Sequence, residues 1–310
     1  MQKIKWLATG GTISCVPTEN GLSPAAAEEQ MKDMLTHIPE TRAEIFPECI
    51  MNIDSSDISC DDMRKIGISA HKAIKDGFDG IVITHGTDTM AYTSAMLRKM
   101  LCSPPVPVII TGAQKPFYSD NSDGKANLFN SLKAAMNSSL SDVYLLFGDK
   151  LIRGDTAHKE YTHSDNAFIS SGEYAGTIKN GTFLLNDIPH NSGSYTFNDD
   201  YDENVMLIKL TPVTDISIFS YAVDRGVRGI VIEGYGTGGI PHRLLDGIAY
   251  AAGKGIKIML ISQCLHEGVD MSIYEVGMSA ARLGVISGGE MTAEAAVAEM
   301  MFMLGEEHHS

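Results

Sequence analysis

The chain is poor in cysteine and in positive charge, and it holds no long apolar run. Five cysteines occur, Cys15, Cys49, Cys60, Cys102 and Cys264. The number is odd, the spacing is wide and no C-x-x-C pair occurs, which fits reduced thiols rather than a disulfide framework or a zinc site. The ten histidines show no metal-ligand spacing, and His308 and His309 read as solvated chain ends. Lysine and arginine number 24 against 39 acidic residues, a formal net charge of −15. Such a balance repels nucleic acid and anionic membrane surfaces. No basic run with interleaved aromatics occurs. No stretch approaches the roughly 20 apolar residues that span a bilayer. The opening MQKIKWLATGG lacks the apolar core of a secretion signal. The expectation is a cytoplasmic protein with a small-molecule ligand, no metal, no cofactor, no nucleic acid and no membrane.

What is present is the make-up of a globular chain: 310 residues, 44% apolar and 20% charged. That length suits two domains of about 100–200 residues each. Short β-branched runs read as strands: Ile4–Thr9, Gly80–Thr84, Val106–Gly112 and Asp142–Gly148. Continuous apolar runs of this length suit a parallel sheet covered on both faces. Between them, Met90, Ser94, Leu97 and Leu101 fall on one helical face, as do Leu128, Leu132 and Met136. The polar, turn-rich stretch 186–204 reads as an interdomain linker. A second α/β series follows, with strands at Val205–Leu210, Gly229–Glu233 and Ile256–Ser262. Helical patterns near Ile216–Val223, Leu244–Ala252 and Ala293–Leu304 separate or end them. The expected fold is therefore α/β with two domains. Residues 1–185 form a larger, doubly wound, mostly parallel sheet, and residues 205–310 a smaller, flavodoxin-like parallel sheet.

Ligands of open α/β sheets sit beyond the C-terminal strand ends. Five segments qualify, and each also has a plain structural reading. Thr9-Gly10-Gly11-Thr12 follows the first strand, and its glycines allow a tight turn or close backbone approach to a ligand. It lacks the glycine spacing and lysine of a phosphate loop. His85-Gly86-Thr87-Asp88 follows the second run, where Thr87 or Asp88 would serve as a helix N-cap. Backbone N–H groups at such a helix start also bind carboxylates or oxyanions. Asp54-Ser55-Ser56 reads as a loop and helix cap, the small residues of Gly112-Ala113-Gln114 allow close backbone approach, and Lys159 in RGDTAHK reads as a surface lysine.

Together these segments change the odds. LATGGTIS at 7–14, IDSSDIS at 53–59, ITHGTDTM at 83–90, TGA at 111–113 and RGDTAHK at 153–159 resemble the bacterial-type asparaginases. The resemblance covers nearly the whole chain and continues through YGTGG at 235–239 and QCLHEGVDMSIYEVG at 263–277. It implies an amidohydrolase that converts L-asparagine to L-aspartate and ammonia, with weak glutaminase activity. Thr12 is implied as nucleophile, and Thr87, Asp88 and Lys159 as a hydrogen-bonded triad. Ser55 and groups near Gly86 would hold the substrate α-carboxylate, Asp88 its α-ammonium, and the Ala113 carbonyl the leaving amide. Gly11, Asp54 and Ser56 complete the implied substrate contacts. Thr12 and Thr87 both remain candidates for the attacking hydroxyl.

One departure stands out. Many members carry a tyrosine some dozen residues after the nucleophile, and positions 15–24 here read CVPTENGLSP, without one. The N-G-L-x-P pattern resembles a cytoplasmic subgroup. Tyr274 is a candidate substitute, entering from a neighbouring subunit of a homodimer or homotetramer; its plain reading is a packing tyrosine before a helix. Two alternatives share the scaffold: an asparaginase-like component of a tRNA-dependent amidotransferase, and a non-catalytic binder of small amino acids. The amidotransferase chains carry an extra N-terminal domain, whereas the first strand here begins within the first few residues. Retention of Thr12, Thr87, Asp88 and Lys159 speaks against the binder.

Overall fold

The computed structural model describes residues 1–19, 21–25, 27–186 and 193–307. His308, His309 and residues 187–192 of the expected linker lie outside the described residues. The chain divides into two compact units, Met1–Asp199 and Asp200–Ser310. The rest of the expected linker is partly built into the first unit, because Thr196–Phe197 pairs antiparallel with Leu101–Cys102.

The first unit is built on eight strands: β1 Gln2–Gly10, β2 Ala43–Ile53, β3 Gly80–Thr84, β4 Val108–Thr111, β5 Val143–Phe147, β6 Lys150–Arg153, β7 Gly176–Lys179 and β8 Thr182–Leu185. They lie in the order β8-β7-β6-β5-β4-β3-β1-β2. The five from β2 to β5 pair in parallel. The remaining three join antiparallel. The sheet is thus mixed, parallel in one half and antiparallel in the other. The apolar runs explain the parallel half: every residue of GIVIT, VIIT and VYLLF is buried.

Helices α1 Glu28–Thr36, α2 Cys60–Lys75, α3 Met90–Met100 and α4 Gly124–Ala135 cover the sheet. Alternation along β1 puts Ile4, Trp6 and Ala8 in one cluster with Met31 of α1 and Leu128 and Leu132 of α4. Helix α2 starts with a capping box, in which the Ser59 hydroxyl accepts from Asp62 N–H while the Asp62 carboxylate accepts from Ser59 N–H.

The second unit has four parallel strands, β9 Val205–Lys209, β10 Gly229–Gly234, β11 Lys257–Ser262 and β12 Ile286–Ser287, side by side in chain order. Helices α5 Ser217–Asp224, α6 Leu245–Gly253 and α7 Glu275–Arg282 contribute to one apolar cluster, which includes Ile230, Ile232 and Leu260. Helix α8 Ala293–Glu306 packs in another, on Val231, Met259 and Ile261. Among the described residues no helix is long and apolar enough to cross a membrane.

Candidate functional site

The parallel half of the large sheet has the order 2-1-3-4-5, which reverses direction between β1 and β3. A crevice opens beyond the C-terminal strand ends at such a point. The loops after β1 and β3 are the two glycine-threonine segments. Glycine lets them touch backbone to backbone. A Cβ on Gly11, which has φ +74°, would overlap the backbone of Gly86. One on Gly86 would stand 2.5 Å from the Ser55 hydroxyl, and one on Gly10, with φ +106°, would stand 2.6 Å from Ile53. Gly11 N–H donates to the Ile53 carbonyl at 3.2 Å. The segments at 10–12, 53–55 and 85–88 therefore converge.

Lysine comes to this point from far along the chain. Lys159 Nζ donates to Thr87 Oγ1 at 2.9 Å and pairs with Asp88 Oδ1 at 2.5 Å. Its side chain is 19% exposed, so it is no solvated surface lysine. The short strand Ala157–Lys159 that carries it pairs antiparallel with Phe168–Ser170. The preceding turn is fixed by charge: Arg98 of α3 spans buried Asp142 at 3.0 Å and Asp155 at 2.7 Å, and Arg153 also reaches Asp155. The helix-cap reading of Thr87 and Asp88 does not hold, because Thr89 occupies the N-cap of α3. Their side chains are turned to Lys159 instead.

Ser55 links two of the loops. Its hydroxyl accepts from Asp88 N–H at 3.2 Å, and its carbonyl accepts from Thr89 Oγ1 at 2.7 Å. Asp54 caps the short turn Ser55–Asp57, accepting from Ser56 N–H at 2.9 Å and Ser56 Oγ at 2.8 Å. Thr12 opens the turn Thr12–Ser14 directly after Gly11. Among the described residues its hydroxyl makes no side-chain hydrogen bond, in contrast to Thr87 with its lysine. Tyr274 lies in the second unit, immediately before α7, and is 62% exposed. Most of its surface is therefore open to solvent in its own unit.

Three supporting residues have no role assigned from sequence. His85 is fully buried, and its Nδ1 faces the Gly86 carbonyl at 2.7 Å while Nε2 faces Thr93 Oγ1 at 3.0 Å. A carbonyl only accepts, so Nδ1 carries the proton and Nε2 accepts from threonine. Burial pushes the imidazole pKa down to about 4, with the Gly86 carbonyl opposing. Asp123 and Asn127 hold the loop after β4. The Asp123 carboxylate accepts from Gln114 N–H at 2.9 Å and Lys115 N–H at 3.0 Å. Asn127 Nδ2 donates to the Gly112 carbonyl at 2.9 Å. Ala113 between them is fully buried. Such residues act by bonding to backbone, which leaves no spacing signal in a sequence. Among the described residues no group of three or more His, Cys, Asp or Glu is placed to hold a metal ion.

The arrangement suits acyl chemistry on a small polar substrate: the converging loops carry two threonines and a lysine–carboxylate pair at one edge of the sheet. Comparison with known proteins agrees. The family model "Asparaginase, N-terminal" matches residues 3–189, and "Glutaminase/Asparaginase C-terminal domain" matches 204–310. The L-asparaginase of Thermococcus kodakarensis is 38% identical over 98% of this chain and 93% of its own length. Its solved structure superposes with a TM-score of 0.91. L-asparaginase I of Vibrio cholerae superposes with a TM-score of 0.88 at 30% identity, over 98% of this chain and 93% of its own. A glutamyl-tRNA(Gln) amidotransferase component from Pyrococcus horikoshii is 33% identical over 96% of this chain but only 71% of its own length. The chain belongs to the asparaginase family, carrying both of its domains.

Proposed function

We propose that the chain is an L-asparaginase, hydrolysing the side-chain amide of L-asparagine to L-aspartate and ammonia. The observation that carries this reading is the Lys159 bridge to Thr87 and Asp88, beside Thr12 and at the turning point of the sheet. In the reaction a threonine Oγ attacks the amide carbon and its proton passes to a base. The C–N bond then breaks, nitrogen leaves as ammonia after gaining a proton, and water hydrolyses the aspartyl ester. Thr12 is the nucleophile by family resemblance and makes no side-chain hydrogen bond among the described residues; Thr87 is already engaged by Lys159. The triad is proposed as the proton carrier for whichever hydroxyl attacks. Direct attack by a water near Thr87 is the mechanistic alternative. Ser55 and Gly86 would receive the α-carboxylate and Asp88 the α-ammonium. Tyr274, exposed as it is, fits delivery to the site of a neighbouring subunit in a homodimer or homotetramer.

Coupled detection of ammonia tests the function, and rapid-quench mass spectrometry of the intact protein tests for an aspartyl adduct on Thr12. Full activity in Thr12→Ala would sink the nucleophile assignment. Asparagine and glutamine differ by one methylene, which a pocket resolves by about 1–3 kcal/mol. A preference for asparagine with weak glutaminase activity is expected, and equal specificity constants would contradict it. The amidotransferase reading is less well supported, because the formal charge of −15 opposes contact with tRNA.

A further inference from the structure

Two guanidinium groups and two carboxylates meet where the chain turns towards Lys159. Arg98, in the last turn of α3, grips buried Asp142 with Nε to Oδ1 at 3.1 Å and Nη2 to Oδ2 at 3.0 Å. Its Nη1 donates to Asp155 Oδ2 at 2.7 Å, and Arg153 Nε donates to Asp155 Oδ1 at 2.5 Å. Asp155 thus spends one oxygen on each guanidinium, and the fork of Arg98 serves two carboxylates at once. All four side chains are largely withdrawn from water, so the group is weakly screened.

The stretch that follows runs back along α3 to its start. Gly154 lies against the helix, since a Cβ on it would stand 2.9 Å from the Ser94 carbonyl. Lys159 then reaches Thr87 and Asp88, just before the helix begins. The segment is therefore tied to α3 at both ends, by Arg98 at the last turn and by the lysine at the first. Between these ties Ala157–Lys159 pairs with Phe168–Ser170, and a two-stranded ladder is marginal on its own.

We infer that Asp155 is a positioning residue, which, held by Arg98, sets the reach of the Lys159 ammonium to Thr87 and Asp88. The inference rests on the asparaginase reading above. The bonds of Asp155 go to Arg98 and Arg153, so it acts on the reaction only through the lysine. A proton carrier displaced by about 1 Å costs on the order of 100-fold in rate.

A double-mutant cycle in kcat on L-asparagine separates this role from a merely structural one. Asp155→Asn keeps the outline, but its amide nitrogen faces a guanidinium donor and that hold is lost. kcat should fall roughly 10–100-fold in the wild-type background, and less than about twofold in Lys159→Met, where no lysine is left to aim. Arg98→Lys should show the same dependence on Lys159, because one ammonium still pairs with Asp142 yet cannot fork to Asp155. It guards against a poorly folded first variant. Acetylation by an N-hydroxysuccinimide ester, read by peptide mass spectrometry, follows the lysine without substrate. Relative to Lys65, whose partner Asp62 is untouched, Lys159 should react faster in Asp155→Asn than in wild type. Equal losses of kcat in both backgrounds, or an unchanged acetylation ratio, would overturn the positioning role. A wild-type protein inert towards asparagine would instead overturn the asparaginase reading, and the acetylation ratio would still decide whether Asp155 holds the lysine.

Discussion

The neutral state of His85 has a consequence for stability that can be worked out. Its pKa falls from 6.5 in the unfolded chain to about 4 in the fold, because the buried ring cannot be solvated when charged. A lowered folded-state pKa contributes stability that is present above pH 6.5 and lost as pH falls towards 4. At pH 4.5 the unfolded ring is almost fully protonated and the folded ring mostly is not. Each pKa unit corresponds to 1.36 kcal/mol, so about 2.5 kcal/mol should be lost between pH 7.5 and 4.5. The chain has one tryptophan, Trp6, buried in β1 with its Nε1 donating to Thr84 Oγ1, next to His85. Its fluorescence reports unfolding of the first unit alone. Urea unfolding of the wild type and of His85→Gln at both pH values gives a double difference in which the surface carboxylates cancel. Glutamine can still donate to Gly86 and accept from Thr93, but it does not titrate. The wild type should lose about 2.5 kcal/mol more than the variant on acidification. Parallel losses in the two proteins would refute the claim that His85 is held neutral.

Other outcomes follow from the same contacts. Lys159→Met keeps the bulk of the side chain and removes its charge, so kcat should fall by about 10²–10⁴ while the circular dichroism spectrum is kept. In Gly86→Ala the new methyl meets Ser55 Oγ at 2.5 Å and Ser55 Cβ at 2.6 Å, and the loops must part. A stability loss of about 1–3 kcal/mol with a large rise in KM is expected from chemical unfolding and steady-state kinetics. Arg98→Ala leaves Asp142, 4% exposed, without its guanidinium, and should cost about 3–5 kcal/mol in a urea titration read through Trp6. A variant as stable as wild type would show that Arg98 is not the anchor of the lysine-bearing turn.

Strands β3, β4 and β5 are legible because they are apolar runs, and α3 and α4 because their apolar residues recur at helical spacing; β2, also in the parallel half, is interrupted by Glu44, Pro47, Glu48 and Asn52 and gives no such run. The antiparallel half is not legible. In β8 exposed and half-buried residues alternate, so nothing in TFLL marks it off from a loop. Helix α2 buries Met63, Ile66, Gly67, Ala70 and Ala73 on one face and opens on a capping box, so it too has a helical pattern in the sequence. Thr196–Phe197 lies in a polar stretch and becomes a strand only through its partner at Leu101–Cys102. The site divides in the same way. Thr12, Ser55, Thr87 and Asp88 stand in loops whose glycines and strand context can be read directly. Lys159 is 72 residues from Thr87, and only family resemblance joins them. His85 stands inside a recognisable motif with no role marked for it, and Asp123 and Asn127 carry no signal at all, since all three bond to backbone groups of any sequence.

Among the described residues α8 is the helix that packs on one side of the small sheet, and that helix follows all four strands in the chain. On the ribosome, therefore, β10 emerges long before its cover does. At about 5–20 residues per second, the stretch from Gly229 to Glu306 takes roughly 4–16 s to synthesise. Val231, joined later by Met259 and Ile261, lacks the cover of α8 until that helix is made, while the other face can be covered helix by helix by α5 and α6. That face of the second unit is open to a chaperone while the chain is being made, and the opening ends when the last helix docks.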